Sequence, residues 1–414
     1  MRNLAFLPDE DLSFINEKTE EYRLSYQDNR ELHIIASDLR RWGEGTLRQI
    51  WRDPENDKLK GKDRRKKVMD GVKGVWNQKK TNPKSYRDFE PEYKAQNRKI
   101  TFSGKSPDSP VLGRCPVASE KTRCCNLQTL DAVINCGFDC SYCSIRTFYH
   151  TDEIQFHQDL KTKLGKISEE LDSSKQYHIG TGQSSDSLMW GNKNGMMDDI
   201  FDFAETNPNV LLELKSKSAN ISGLPDRPIP SNVLVSWSLN TPVIIENEEH
   251  LTSSLTDRLR AAELIAARGG LIGFHFHPIV IYDDWRKDYS EVFTRLQQQF
   301  NPDDITHISF GTLTFIKPVI RELRKRELKS KILQMPMEEI AGKLSYPIEE
   351  KKKIFSFAYD SFKSWHDKVF FYLCMEDISL WEPVFGRSYR SNEEFEQNMI
   401  GSYFLKVEKK WNRQ

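Results

Sequence analysis

The sequence predicts an α/β fold. Its centre is a partial (β/α)6 barrel, preceded by a mainly helical, basic N-terminal extension and followed by an α+β segment that closes the open side. Three observations carry this. From Leu130 onward, short apolar runs alternate with segments of helical spacing, a pattern that gives parallel strands joined by right-handed crossovers. Polar residues gather just past the end of most of these runs, where barrels of this kind keep their chemistry. The stretches before about residue 114 and after about residue 336 follow neither rule.

The first expected domain, residues 1–113, reads as an extension with helical patches, among them Thr46–Trp51. Between residues 58 and 80 lies a basic run: Lys58, Lys60, Lys62, Arg64, Arg65, Lys66, Lys67, Lys73, Lys79 and Lys80 against Asp63 and Asp70, with Trp51 and Trp76 beside or within it. Such a run either neutralises phosphates beside a stacking surface or is a solvated helix face. Residues 80–110, rich in Pro, Asn, Ser and Lys, read as a linker or long surface loop.

The barrel domain, residues 114–335, is expected to place strands at 130–134, 176–180, 210–215, 233–238, 271–276 and 305–310. Helices are expected at 158–171, 196–205, 255–268 and 285–300. Six units fall short of the eight that close a full barrel. In the closing segment, residues 336–414, a helix is expected over 349–365 and a strand-like run over 369–376.

At 414 residues the chain can bury a sizeable core, and its formal net charge of zero says nothing about nucleic acid. It has no apolar run of membrane-spanning length, and the stretch from Met1 to Glu10 is too weakly apolar for a signal peptide. Seven cysteines, an odd number clustered around one loop, fit a reducing cytoplasm better than a secreted disulfide scaffold.

That loop is Cys136-Gly-Phe-Asp-Cys140-Ser-Tyr-Cys143, directly after the first expected strand. So short a loop points three thiols at a common centre. A cubane iron–sulfur cluster has four metal corners, so three cysteines suggest a cluster with one iron open to a substrate or cofactor. Zinc is an alternative, because Cys124 and Cys125 lie close enough in sequence to complete a tetrahedral site with Cys140 and Cys143. A Cys140–Cys143 redox pair would leave Cys136 without a role. Adjacent Cys124 and Cys125 would point opposite ways in an extended segment, so at most one is expected to face the cluster. His275 and His277 share one face of their strand, where they either contact substrate or form a buried hydrogen-bonded pair.

The ordered set of motifs resembles the spore photoproduct lyase family of the radical S-adenosylmethionine (SAM) superfamily. The motifs are Arg123-Cys-Cys-Asn-Leu127, Asn135 to Cys143, Gly180 to Leu188, Glu213-Leu-Lys-Ser-Lys217, Val235 to Asn240, Arg258 to Ala262, Gly273 to Pro278 and Tyr372 to Glu376. The match covers roughly residues 114 to 390, and the residues before it have no counterpart. The resemblance implies direct reversal of a UV-induced thymine lesion in DNA by a 5′-deoxyadenosyl radical. It implies a [4Fe-4S] cluster on Cys136, Cys140 and Cys143, and SAM on its open iron. Tyr142, Gly180, Thr181, Gly182, Lys217, Ser238 and Asn240 then line SAM, Lys217 beside its carboxylate and Ser238 with Asn240 near the ribose. It also implies an electron donor such as flavodoxin or ferredoxin. The family's hydrogen-donating cysteine falls in the stretch matching Gln183 or Ser144, neither of which carries an S–H bond. Cys374 and Tyr142 are the catalytic candidates to replace it. Two other functions stay open: a radical SAM enzyme acting on RNA or a peptide, and a zinc-stabilised nucleic-acid-binding protein without catalysis.

Overall fold

The computed structural model describes residues 7–53, 59–82, 84–93, 99–103, 110–115, 121–149, 153–340 and 342–412. Residues 1–6, Lys58 of the basic run, and residues 83, 94–98 and 104–109 of the expected linker lie outside them. Two compact units emerge: Met1–Ala95 with Ile281–Asp283 and Thr314–Pro347, and Gln96–Val280 with Asp284–Leu313 and Ile348–Gln414. Among the described residues, no helix is long and apolar enough to cross a membrane.

The second unit is built on an eight-stranded sheet whose spatial order follows the chain. Its strands are β1 (Leu112–Arg114), β2 (Gln128–Leu130), β3 (Tyr177–Thr181), β4 (Val210–Ser216), β5 (Val233–Ser238), β6 (Leu271–Ile279), β7 (Ile305–Thr312) and β8 (Phe370–Leu373). β1 is antiparallel to β2, and every pair from β2 to β8 is parallel. The parallel array therefore holds one strand more than the six-unit pattern. The extra strand comes from the run expected to form part of the closing segment. All four residues of β8 are buried, as a strand packed on both faces requires.

The first strand also differs from its expected span of 130–134. β2 ends at Leu130, and Val133–Ile134 joins a separate small sheet beside Ile154–His157. Asp131 breaks the apolar run, and its carboxylate accepts a hydrogen bond from the Ser184 hydroxyl.

Period-two alternation gives the long strands two kinds of face. On one lie Leu212, Leu214, Val235, Trp237, Phe274, Phe276, Ile308 and Phe310, all buried. Such side chains contribute about 1.5–3 kcal/mol each on burial. On the other lie Glu213, Lys215, Ser236, Ser238, His275, His277, His307 and Ser309. This second face is polar yet enclosed, so each of its groups needs a partner.

The N-terminal unit packs α1 (Asp9–Tyr22), α2 (Tyr26–Trp42), α3 (Leu47–Ile50) and α4 (Gly61–Thr81) around Phe14, Ile15, Leu32, Ile35, Leu39 and Val72. Ser25 opens α2 with a capping box, and Gly43 ends it in the left-handed region. The basic run is α4, and much of its charge is matched within the unit. Lys73 pairs with Glu31 at 2.7 Å and Lys79 with Glu44 at 2.9 Å. Arg64 covers the Tyr22 ring, and Lys80 sits 3.1 Å from the centroid of Trp76. Trp51 is buried edge-on against Phe14 and Tyr22, so it offers no stacking surface. Lys62, Lys66 and Lys67 remain exposed.

Candidate active site

The cysteine loop rises beyond β2 and is fixed from the far side of the sequence. Thr241 caps a short helix, Pro242–Glu248, with Pro242 in its first turn, and the chain then extends through Glu249 and His250. These two residues pair antiparallel with Asp139 and Cys140, Glu249 opposite Cys140. Ser141 donates its N–H to the Glu248 carbonyl at 2.8 Å and its hydroxyl to the Glu248 carboxylate. Gly137 lets the loop pass close to its neighbours, since a Cβ there would collide with Met189 and Trp190.

The three thiols act electrostatically on one another. Burial pushes Cys136 up to about 12, helped by the Asp186 carboxylate. Burial raises Cys140 as well, and the Lys217 ammonium opposes the shift. Burial thus favours the neutral thiol at Cys136 and Cys140. A bound cation would invert that preference and stabilise thiolates.

Around the loop stand the ends of three strands. Gly180 and Thr181 finish β3, and Gly182 follows with φ +92°, where a Cβ would sit 2.6 Å from the Lys215 carbonyl oxygen. Glycine is therefore required at this turn. Lys217 lies one residue past β4, its Nζ 5.9 Å from the Tyr142 ring centroid. Asp186 shapes this corner, accepting from Ser216 Oγ at 2.7 Å and Lys217 N at 2.6 Å. Ser238 ends β5, and Asn240 lies two residues beyond it. The Asn240 amide is fully engaged: Nδ2 donates to the Pro278 carbonyl at 3.0 Å, and Oδ1 accepts from Tyr289 and from Thr241 N.

Glu249 joins these pieces. Its carboxylate accepts from the Tyr142 hydroxyl and, at 2.7 Å, from Arg258 Nη2. Arg258 also donates to the Ser238 carbonyl at 2.7 Å. Burial alone would raise the Glu249 carboxyl, but Arg258 and Lys217 outweigh it and hold the group below its ordinary value. Burial, and then the Glu249 charge, push the Tyr142 phenol well above its own. Glu248, Glu249 and Asp186 escaped the sequence-based site list. The signal available for Asp186 was its place in a strand-end polar run, and none marked the two glutamates.

Deeper in the polar face, Glu213 is a hub. His178 Nε2 lies 2.8 Å from one of its oxygens and His275 Nε2 2.7 Å from the other. His307 Nε2 is 3.2 Å from His275 Nε2, and Ser309 bridges His275 to His277. Burial lowers His275 to about 4, with Lys215 adding to the shift, and lowers His277 and His307 further. His275, His277 and His307 are thus neutral members of a hydrogen-bonded network, partnered by side chains rather than backbone.

Cys374 stands at the end of another strand, its thiol within electrostatic reach of Lys215. One residue past β8, it shares a cleft with Cys115, Cys124 and Cys125. Cys115 and Cys124 act on its thiol, and Cys374 in turn acts on that of Cys125. The expectation that Cys124 and Cys125 point apart assumed a regular strand. No strand forms at 123–127, and Asn126 takes a φ of +52°.

Fold and site together define an α/β protein with a three-cysteine loop at the carboxyl edge of an open parallel sheet. Comparison with known proteins narrows the class. The family model described as spore photoproduct lyase matches residues 130–355. The chain belongs to the spore photoproduct lyase family. The spore photoproduct lyase of Clostridium acetobutylicum is 25% identical over 226 residues, 52% of this chain and 64% of that protein's length. That of a Geobacillus species is 34% identical over 98 residues, 23% of this chain and 29% of the relative. The match thus spans less than two thirds of either relative. A solved spore photoproduct lyase complexed with dinucleoside spore photoproduct superposes with a TM-score of 0.55 at 19% identity, covering 63% of this chain and 80% of that one. A variant with bound AdoMet and dinucleoside spore photoproduct gives 0.52 at 21% identity, covering 58% and 74%. These superpositions speak to the fold.

Proposed function

We propose that this chain is a radical SAM enzyme of the spore photoproduct lyase type, reversing a UV-induced thymine lesion in DNA. The observation that carries the reading is the convergence of the three-thiol loop with Lys217 and the Gly180–Gly182 turn, braced by Glu249 and Arg258. Cys136, Cys140 and Cys143 would hold a [4Fe-4S] cluster and leave one iron for SAM. The fit is chemical: buried thiols gathered on one point gain from a metal's charge. A cluster held there would supply the electron for reductive cleavage of SAM to methionine and a 5′-deoxyadenosyl radical.

The chain's own residues position and shield. The Lys217 ammonium takes the SAM carboxylate, and the polar turn at Gly180, Thr181 and Gly182 receives its amino group. Ser238 presents a hydroxyl to the ribose, while Asn240, its amide already engaged, braces that wall. Tyr142 closes the cofactor side, its hydroxyl held by Glu249. Tyr142 and Cys374 are the two candidates for hydrogen return, because Gln183 and Ser144 carry no S–H bond. On this reading the sheet is a partial barrel, residues 1–113 are an extension and residues 336–414 complete the closing side. The partners are damaged DNA and a small electron donor such as flavodoxin or ferredoxin, and the setting is the reducing cytoplasm.

The test is anaerobic. Protein reconstituted with iron and sulfide is reduced, given SAM, and assayed for 5′-deoxyadenosine with irradiated or undamaged DNA. Product that rises with irradiated DNA alone, and vanishes in Cys140→Ala, is the expected result. Equal product with both DNAs would redirect the search to another substrate such as RNA or a peptide. Failure to load iron would favour the zinc-stabilised binding protein.

A further inference from the structure

All seven cysteines of the chain fall into two groups. Three belong to the loop, and the remaining four, Cys115, Cys124, Cys125 and Cys374, line one cleft. The Cys125 thiol is within electrostatic reach of Cys374, Cys124 and Cys115, and the Cys374 thiol of Cys115 and Cys124. The four come from the two edges of the open sheet: Cys115 follows β1, Cys124 and Cys125 precede β2, and Cys374 follows β8.

Those edges are already tied together on both sides of the thiols. Thr122 forms a bridge with Asp377, and Ile378 N donates to the Lys121 carbonyl at 3.0 Å. Arg123 donates to the carbonyls of Tyr389 at 2.7 Å and Arg390 at 2.8 Å. Cys124 N donates to Asn392 Oδ1 at 3.0 Å, and Asn126 Nδ2 to Glu396 at 2.7 Å. The backbone of this cysteine pair is thus anchored to the segment beyond β8. No three of these thiols lie within 4.8 Å of one another, too far apart for a tetrahedral zinc ion. Four soft thiol ligands spread around one cleft are instead the donor set of a fully ligated iron–sulfur cluster.

We propose that Cys115, Cys124, Cys125 and Cys374 hold a second metal centre, an iron–sulfur cluster closed to outside ligands, that staples the two edges of the sheet. The proposal is independent of the function assigned to the three-cysteine loop. It has one consequence for that function: a metal-bound Cys374 has no S–H bond, which leaves hydrogen return to Tyr142.

The experiment is metal analysis of full-length protein purified anaerobically. A Cys136→Ala/Cys140→Ala/Cys143→Ala variant should keep about four irons per chain. A second variant, Cys124→Ser/Cys374→Ser, should lose that metal while still taking up the loop's iron, which shows that it folds. Iron with acid-labile sulfide supports the proposal, and zinc in its place would overturn it. Chelation of the loop-less variant should lower its Tm and make four more thiols reactive. A loop-less variant free of metal, an unchanged metal content in Cys124→Ser/Cys374→Ser, or a disulfide among the four in anaerobic protein would overturn it.

Discussion

Removing the Glu249 carboxylate should cost more stability than any single hydrogen bond at the site. Arg258 and Glu249 are 0% and 1% exposed and lie 2.7 Å apart. Glu249→Ala leaves the guanidinium buried without its counter-charge, at a cost of about 3–5 kcal/mol. The Tyr142 hydroxyl loses its acceptor as well, but this loss overlaps the first and does not simply add. Denaturant unfolding of anaerobic protein should therefore show a lower midpoint at unchanged slope. Glu249→Gln keeps the shape without the charge and should fall between wild type and Glu249→Ala. The double variant Glu249→Leu/Arg258→Met removes both charges and should recover much of the loss. A loss below about 1 kcal/mol in Glu249→Ala, or strict additivity in the double variant, would refute the claim that this pair fixes the site.

Three further outcomes follow from the geometry. His275 titrates near 4 when folded against 6.5 unfolded, so its contribution is complete above pH 6.5 and is lost as the pH falls toward 4. The gap corresponds to roughly 3 kcal/mol at the acid end, and a His275→Gln variant should show a flatter urea midpoint-versus-pH curve than wild type. Gly182→Ala puts a Cβ 2.6 Å from the Lys215 carbonyl at φ +92°, a strain on the order of 1–3 kcal/mol that should weaken SAM binding about tenfold by equilibrium dialysis. Unchanged affinity would remove this turn from the cofactor site. Deleting the basic run would strip Val68, Met69 and Val72 from the helical core, so the cleaner test replaces exposed Lys62, Lys66 and Lys67 with Ala. If α4 meets phosphates, the salt slope of DNA binding flattens by about three charges, and an identical slope returns α4 to a solvated face.

What was legible in the sequence is what repeats at short range. The alternation in Glu213-Leu-Lys215, Ser236-Trp-Ser238, His275-Phe-His277 and His307-Ile-Ser309 gives strands with one polar face. The cysteine spacing gives the loop. What stayed hidden depends on partners remote in sequence. Glu246-Asn-Glu-Glu249 looks like a solvated acidic stretch, yet its last residue is buried by pairing with Arg258 and by lying opposite Cys140. The basic run looks unpaired because its acidic partners sit on α2 and in the loop that follows it. Phe370–Leu373 reads equally well as a cap or as a barrel strand, and only its pairing with β7 decides.

The charge layout of the polar face explains why the histidines and lysines are both there. Glu213 lies at the level of His178, His275 and His307, and every one of those contacts is internal. A protonated network there would compete with the rim for anions. Burial and the two lysines above it keep His275 and His277 neutral. Half-buried Lys215, one alternation further along β4, and Lys217, just past its end, then carry the positive charge at the mouth. The positive field is concentrated where the thiols and Tyr142 converge, while the charge of the floor is the Glu213 carboxylate, held well below its ordinary value by its histidine partners. Such a gradient draws an anionic group to the rim and holds it there, because the network below offers no competing charge.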